Sequence, residues 1–174
     1  MPNSTSDEQT RPDEIVPTIE WSLWFQWVLA TTLGWLIGFI IGEGAIGVAL
    51  GLGQWLVLRQ WVREPGWWIW ASTVGWAIGW ILIITEILPP PQAGIIAALL
   101  AGAVLGLMLG VAQWFILRRL VDSAGWWVLV STTGWAIGFS GLLGITVVGT
   151  VAGAVTGFAL DFLLRYPHHG SPTS

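Results

Sequence analysis

Cysteine is absent from the 174 residues, which excludes disulfides, thiolate metal sites, iron–sulfur ligation and a cysteine nucleophile. Histidine is nearly absent: His168 and His169 stand in the last seven residues, so the long apolar runs lack the usual haem ligand and the commonest metal ligand. Charge is scarce too. Only 9% of residues are charged, against about 25% in ordinary soluble domains. The net charge of −4 comes from the N-terminal tail, where Asp7, Glu8, Asp13, Glu14 and Glu20 face only Arg11; nucleic acid is not an expected partner. No serine elbow, phosphate-binding loop or histidine pair lies in the apolar runs. The sequence thus predicts no catalytic residue, no metal, no cofactor and no enzyme.

What is present is apolar and repeated. Hydrophobic residues make up 55% of the chain, with 15 tryptophans and 23 glycines. Gln54-Trp55, Leu58-Arg59, Gly66-Trp67-Trp68, Ser72-Thr73 and Gly75-Trp76-Ala77-Ile78-Gly79 recur 59 positions later as Gln113-Trp114, Leu117-Arg118, Gly125-Trp126-Trp127, Ser131-Thr132 and Gly134-Trp135-Ala136-Ile137-Gly138. A weaker third copy follows from alignment: Thr31 to Gly38 matches Ser72 to Gly79, and Gly149, Gly153, Gly157 and Arg165 match Gly102, Gly106, Gly110 and Arg118. The repeating unit is an odd span followed by an even one.

The apolar runs predict spans near 21–42, 44–62, 66–87, 93–118, 125–142 and 144–165, close to the roughly 20 residues needed to cross ~30 Å of hydrocarbon as helix. Helices are required because lipid satisfies no backbone group, and no barrel-like alternation is present. The expected fold is all-α: a six-transmembrane-helix bundle of three like-oriented hairpins (about 21–62, 66–118 and 125–165), related by an axis along the membrane normal. Residues 1–20 read as a disordered acidic tail and 167–174 as a short polar one. Arg11, Arg59, Arg63, Arg118, Arg119 and Arg165 all fall on one side of such a bundle. Positive residues mark the cytoplasmic face, so both termini are expected there, in a bacterial inner membrane.

Glycines at four-residue spacing let helix backbones approach. The odd spans carry Gly34/Gly38, Gly75/Gly79 and Gly134/Gly138; the even spans carry Gly47/Gly51, Gly102/Gly106/Gly110 and Gly149/Gly153/Gly157. They are expected to pack each hairpin tightly. Trp21, Trp24, Trp27, Trp55, Trp61, Trp67, Trp68, Trp70, Trp114, Trp126 and Trp127 lie near the arginine-bearing face and read as an interfacial belt. Trp35, Trp76, Trp80 and Trp135 lie deeper, as space-fillers beside glycine or as a platform for a lipid or apolar cofactor.

Gln54 and Gln113 need hydrogen-bond partners in hydrocarbon; Ser72/Thr73, Ser131/Thr132 or a bare carbonyl are the expected ones. Arg59, Arg118 and Arg165 share one repeat position at the inner boundary, suited to headgroup anchoring or an anionic ligand. Asp161 stands where the other copies have Trp55 and Trp114, four residues before Arg165, a spacing that allows an ion pair and leaves a proton-relay role open. Glu43 and Glu86 fall in the opposite turns.

The Gln-Trp-x-x-Leu-Arg, Gly-Trp-Trp and Gly-Trp-Ala-x-Gly motifs resemble those of a group of uncharacterised bacterial integral membrane proteins built from this repeat. The resemblance covers roughly residues 24–165, weakens where Leu160-Asp161 replaces Gln-Trp, and implies fold and location without an activity. In outline the plan is also similar to mitochondrial carriers, but their Pro-x-[Asp/Glu]-x-x-[Lys/Arg] signature is missing. The leading expectation is a non-enzymatic accessory, assembly or scaffold protein whose partners are membrane lipids and other membrane proteins. A small-solute or ion transporter, or a binder of lipid or an apolar cofactor, are the alternatives.

Overall fold

A computed structural model describes residues 21–62, 66–85, 87, 90–141 and 144–165. Both expected tails, together with Arg63 and Glu86, lie outside the described residues. The chain is all-helical there, with six α-helices: α1 (Trp21–Ile41), α2 (Ile46–Leu58), α3 (Trp67–Ile84), α4 (Ile95–Leu117), α5 (Gly125–Phe139) and α6 (Val148–Arg165). Four stretches are long and apolar enough to cross a membrane: α1, α3, α4, and Ile145–Arg165, which ends in α6.

The other two helices are shorter than the sequence suggests. α2 has 13 residues and α5 has 15, about 20 and 22 Å at helical rise. After Leu58 the backbone tightens into i→i+3 bonds, Gln60 N–H to Val57 O and Trp61 N–H to Leu58 O. After Phe139 the chain turns through Gly141 at φ 75°, a conformation that a side chain with Cβ rarely adopts.

Each helix packs against its neighbours in sequence, and α6 packs back against α1, so the six form a closed ring. Glycines set the close approaches. On the odd helices, a Cβ added at Gly34 would sit 2.8 Å from Leu50 Cα, at Gly38 2.5 Å from Ile46 Cα, and at Gly75 2.8 Å from Met108 O. Gly79 faces Leu105, Gly134 faces Val155 and Gly138 faces Val148. These six therefore lie against their own hairpin partner.

The four-spaced glycines of the even helices do not. Gly47 and Gly51 lie against Trp76, Ser72 and Ile69 of α3; Gly102, Gly106 and Gly110 lie against Trp135, Ser131 and Val128 of α5. Gly149, Gly153 and Gly157 lie against Thr31, Val28, Trp24 and Trp27 of α1. These eight glycines thus join one hairpin to the next and close the ring, whereas Gly53 of α2 lies against Ala30 O of its own hairpin partner. Each hairpin thus carries two small-residue faces, which let backbones come into close van der Waals contact on both sides.

The interior is two stacked apolar clusters. One holds Trp35, Trp76 and Trp135 with Leu105 and Leu109. The other holds Trp27, Trp68 and Trp127 with Leu58, Leu117 and Leu160.

Candidate functional site: a polar layer between two tryptophan triangles

Each odd helix turns the same stripe inward: Trp27-Thr31-Trp35, Trp68-Ser72-Trp76 and Trp127-Ser131-Trp135, spaced i, i+4, i+8 so that one helix face carries all three. The inner tryptophans meet as triangles. Trp27, Trp68 and Trp127 have ring centroids 5.8–5.9 Å apart. Trp35, Trp76 and Trp135 have centroids 5.8–6.0 Å apart. These separations suit edge-to-face and tilted aromatic packing. The triangles lie about 12 Å apart along the helices.

Trp27, Trp68 and Trp127 are 0–1% exposed, which corrects their expected place in the interfacial belt. Their indoles are core, whereas Trp21, Trp67, Trp70 and Trp126 remain outward and exposed.

Between the triangles lies the polar layer. Gln54 Nε2 donates to Thr31 Oγ1 (3.2 Å), and its Oε1 accepts from Trp68 Nε1 (3.0 Å). Gln113 Nε2 donates to Ser72 Oγ (2.9 Å) and to Gln54 Oε1 (3.2 Å), while its Oε1 accepts from Trp127 Nε1 (3.0 Å). Each glutamine therefore ties the odd helix before it to the odd helix after it. Thr31 was not among the expected glutamine partners; Ser72 was.

The third position differs. Leu160 stands there, fully buried. Trp27 Nε1 instead donates to Thr156 Oγ1 (3.0 Å), one turn away, and Thr156 donates on to Ala152 O (2.7 Å). Ser131 Oγ is buried without a hydrogen-bond partner. The layer is built of amides, hydroxyls and indole N–H groups, all of them neutral. Among the described buried residues Asp161 is the only ionisable one.

Asp161 and Arg165 pair along α6, with Nη2 2.9 Å from Oδ2 and 3.1 Å from Oδ1. In the other copies the corresponding arginine covers an aromatic ring: Arg59 lies 5.1 Å from the Trp55 centroid, and Arg118 lies 5.0 Å from Trp114 and 4.9 Å from Phe115. All three arginines end an even helix, where a cation also favours the carbonyl end of the helix dipole. Asp161 is thereby tied to the arginine that ends its own helix. The structure gathers the two glutamines into one site, while Arg59, Arg118 and Arg165 each contact side chains of their own helix.

The polar layer opens into neither of two surface cavities. A groove of about 860 Å³ runs between α3 and α4 from Ile78 to Arg119, and a bowl of about 580 Å³ at the opposite end is lined by Trp35, Trp76, Trp80 and Glu43. The Trp76 indole donates to Glu43 O and the Trp35 indole to Ile145 O, each 2.9 Å. No group of three or more His, Cys, Asp or Glu side chains suited to a metal occurs among the described residues.

No protein-family model, curated protein or solved structure matches the chain.

Proposed function

We propose that the chain is an integral membrane protein of the bacterial inner membrane, with all six helices embedded as three like-oriented hairpins of pseudo-threefold character. Its arginine end faces the cytoplasm. Its role is non-enzymatic: a rigid accessory or scaffold unit against which other membrane proteins assemble. One observation carries this reading. Gln54 and Gln113, which a transporter would place along its path, are engaged with each other, with Thr31 and Ser72 and with indole N–H groups, between two layers of packed tryptophan. A solute crossing the ring centre would have to break both triangles. The outer surface, by contrast, is a continuous display of aliphatic side chains such as Leu33, Ile37, Val74, Ile78 and Leu129, fit for lipid or for neighbouring helices.

Single-cysteine variants in liposomes test both halves. With membrane-impermeant thiol reagents, Ser72→Cys is expected to stay unmodified, while Ile87→Cys and Arg119→Cys label from opposite sides. Labelling of the Ser72→Cys variant at the rate of a turn position overturns the sealed core and restores the transporter reading. Photo-crosslinkers at Leu33 and Ile37 in native membranes are expected to give discrete protein adducts; adducts to lipid alone overturn the accessory role.

A further inference from the structure

The groove between α3 and α4 has a polarity gradient along its length. Its inner end is apolar, lined by Ile78 of α3 and Met108 of α4, and room for a ligand is left where Ala71 and Ala112 present only methyl groups. At the outer end stands Arg119, flanked by the exposed rings of Trp67 and Trp70. From Met108 to Arg119 the length is about 16 Å at helical rise, enough for most of an acyl chain.

Arg119 is peculiar to this hairpin. The residue after the boundary arginine is Gln60 in the first copy and Tyr166 in the third, so only the second carries two adjacent cations, Arg118 and Arg119. Arg118 lies over Trp114 and Phe115, on its own helix. Arg119 lines the groove.

We propose that this groove is a built site for one anionic phospholipid, its acyl chain along Val74, Ile78 and Met108 and its phosphate at the Arg119 guanidinium. The order of the contacts matches the order of the ligand: hydrocarbon deep, aromatic rings at the glycerol level, cation at the phosphate. Guanidinium binds phosphate through paired N–H donors, and tryptophan favours the headgroup boundary. The inference rests on membrane residence but not on the scaffold role.

The test uses the full chain purified in mild detergent, titrated with phosphatidylglycerol or phosphatidylethanolamine and read by native mass spectrometry. Phosphatidylglycerol is expected to bind about five-fold more tightly than phosphatidylethanolamine, the preference that one basic side chain at a membrane surface supplies. Arg119→Gln should remove that preference and Arg119→Lys should keep most of it. Val74→Trp, at an outward position, should weaken both lipids by filling the groove with Arg119 in place. Retention of the full preference in Arg119→Gln, or equal binding of both lipids by the native chain, overturns the site while leaving membrane residence intact. A chain monodisperse without detergent overturns membrane residence itself.

Discussion

The first two hairpins and the third build the same ring with different interiors. In the first two, a glutamine on the even helix takes the indole N–H of the following odd helix and gives its own N–H to the hydroxyl of the preceding one. In the third, Leu160 fills that place, Thr156 serves the indole from one turn away, and Ser131 Oγ has no partner. Backbone contact differs in the same direction. A Cβ at Gly34 or Gly75 would strike the facing backbone at 2.8 Å, whereas at Gly134 the nearest atom is the Val155 side chain at 3.2 Å. The difference teaches which requirement is rigid. A buried indole N–H must find an acceptor, but which residue supplies it is negotiable within a helical turn. The α5–α6 hairpin is looser at the Gly134 crossing, while Gly138 still meets Val148 O at 2.9 Å.

Five substitutions break or sharpen this contrast. Gln113→Leu copies the third hairpin into the second without its threonine, stranding Trp127 Nε1 and Ser72 Oγ; the expected loss is about 3 kcal/mol, since each buried unpaired group costs roughly 1–3. Denaturant titration in micelles, followed by tryptophan fluorescence, measures it, and an unchanged midpoint would mean that the network contributes nothing to stability. Gly75→Ala should cost about 2 kcal/mol by overpacking against backbone, and Gly134→Ala less than about 1, because Val155 can shift; equal costs in the same titration would erase the difference between hairpins. Smallest is Leu160→Gln, which supplies Ser131 with a donor and Trp27 with a second acceptor in exchange for lost apolar burial, for a net change of under about 1 kcal/mol. Its signature is coupling. Thr156→Val should cost about 1 kcal/mol in the native chain and close to nothing in the Leu160→Gln background, a double-mutant cycle that reads zero if the two positions do not share the indole.

The repeat made the hairpin order legible, because Gln54, Arg59, Gly75 and their copies fall in register. The Asp161–Arg165 contact was legible from its four-residue spacing. Trp27, Trp68 and Trp127 were not, for a physical reason. A helix meant for lipid is apolar on both faces, so hydrophobic periodicity does not separate inside from outside as it does in a soluble protein. Their neighbours Trp21, Trp67 and Trp126 are outward, so residue type and depth alone assign all of them to the interface. The distinguishing signal was the recurrence of Trp-x-x-x-[Ser/Thr]-x-x-x-Trp in all three odd helices, a stripe too narrow and too repetitive for a belt. The direction in which the even-helix glycines face was likewise hidden, since spacing marks a face without naming what it meets.

The contact of α6 with α1 has a consequence for connectivity. Gly149 and Gly153 of α6 lie against Trp35, Thr31 and Val28 of α1 as Gly106 and Gly110 of α4 lie against Trp135, Ser131 and Val128 of α5, so the seam between the last helix and the first resembles an internal seam between hairpins. A ring joined in this way has no privileged starting point. Tethering α6 to α1 and cutting the turn between α2 and α3 would give a circularly permuted order of the same three units, and it would describe the same object.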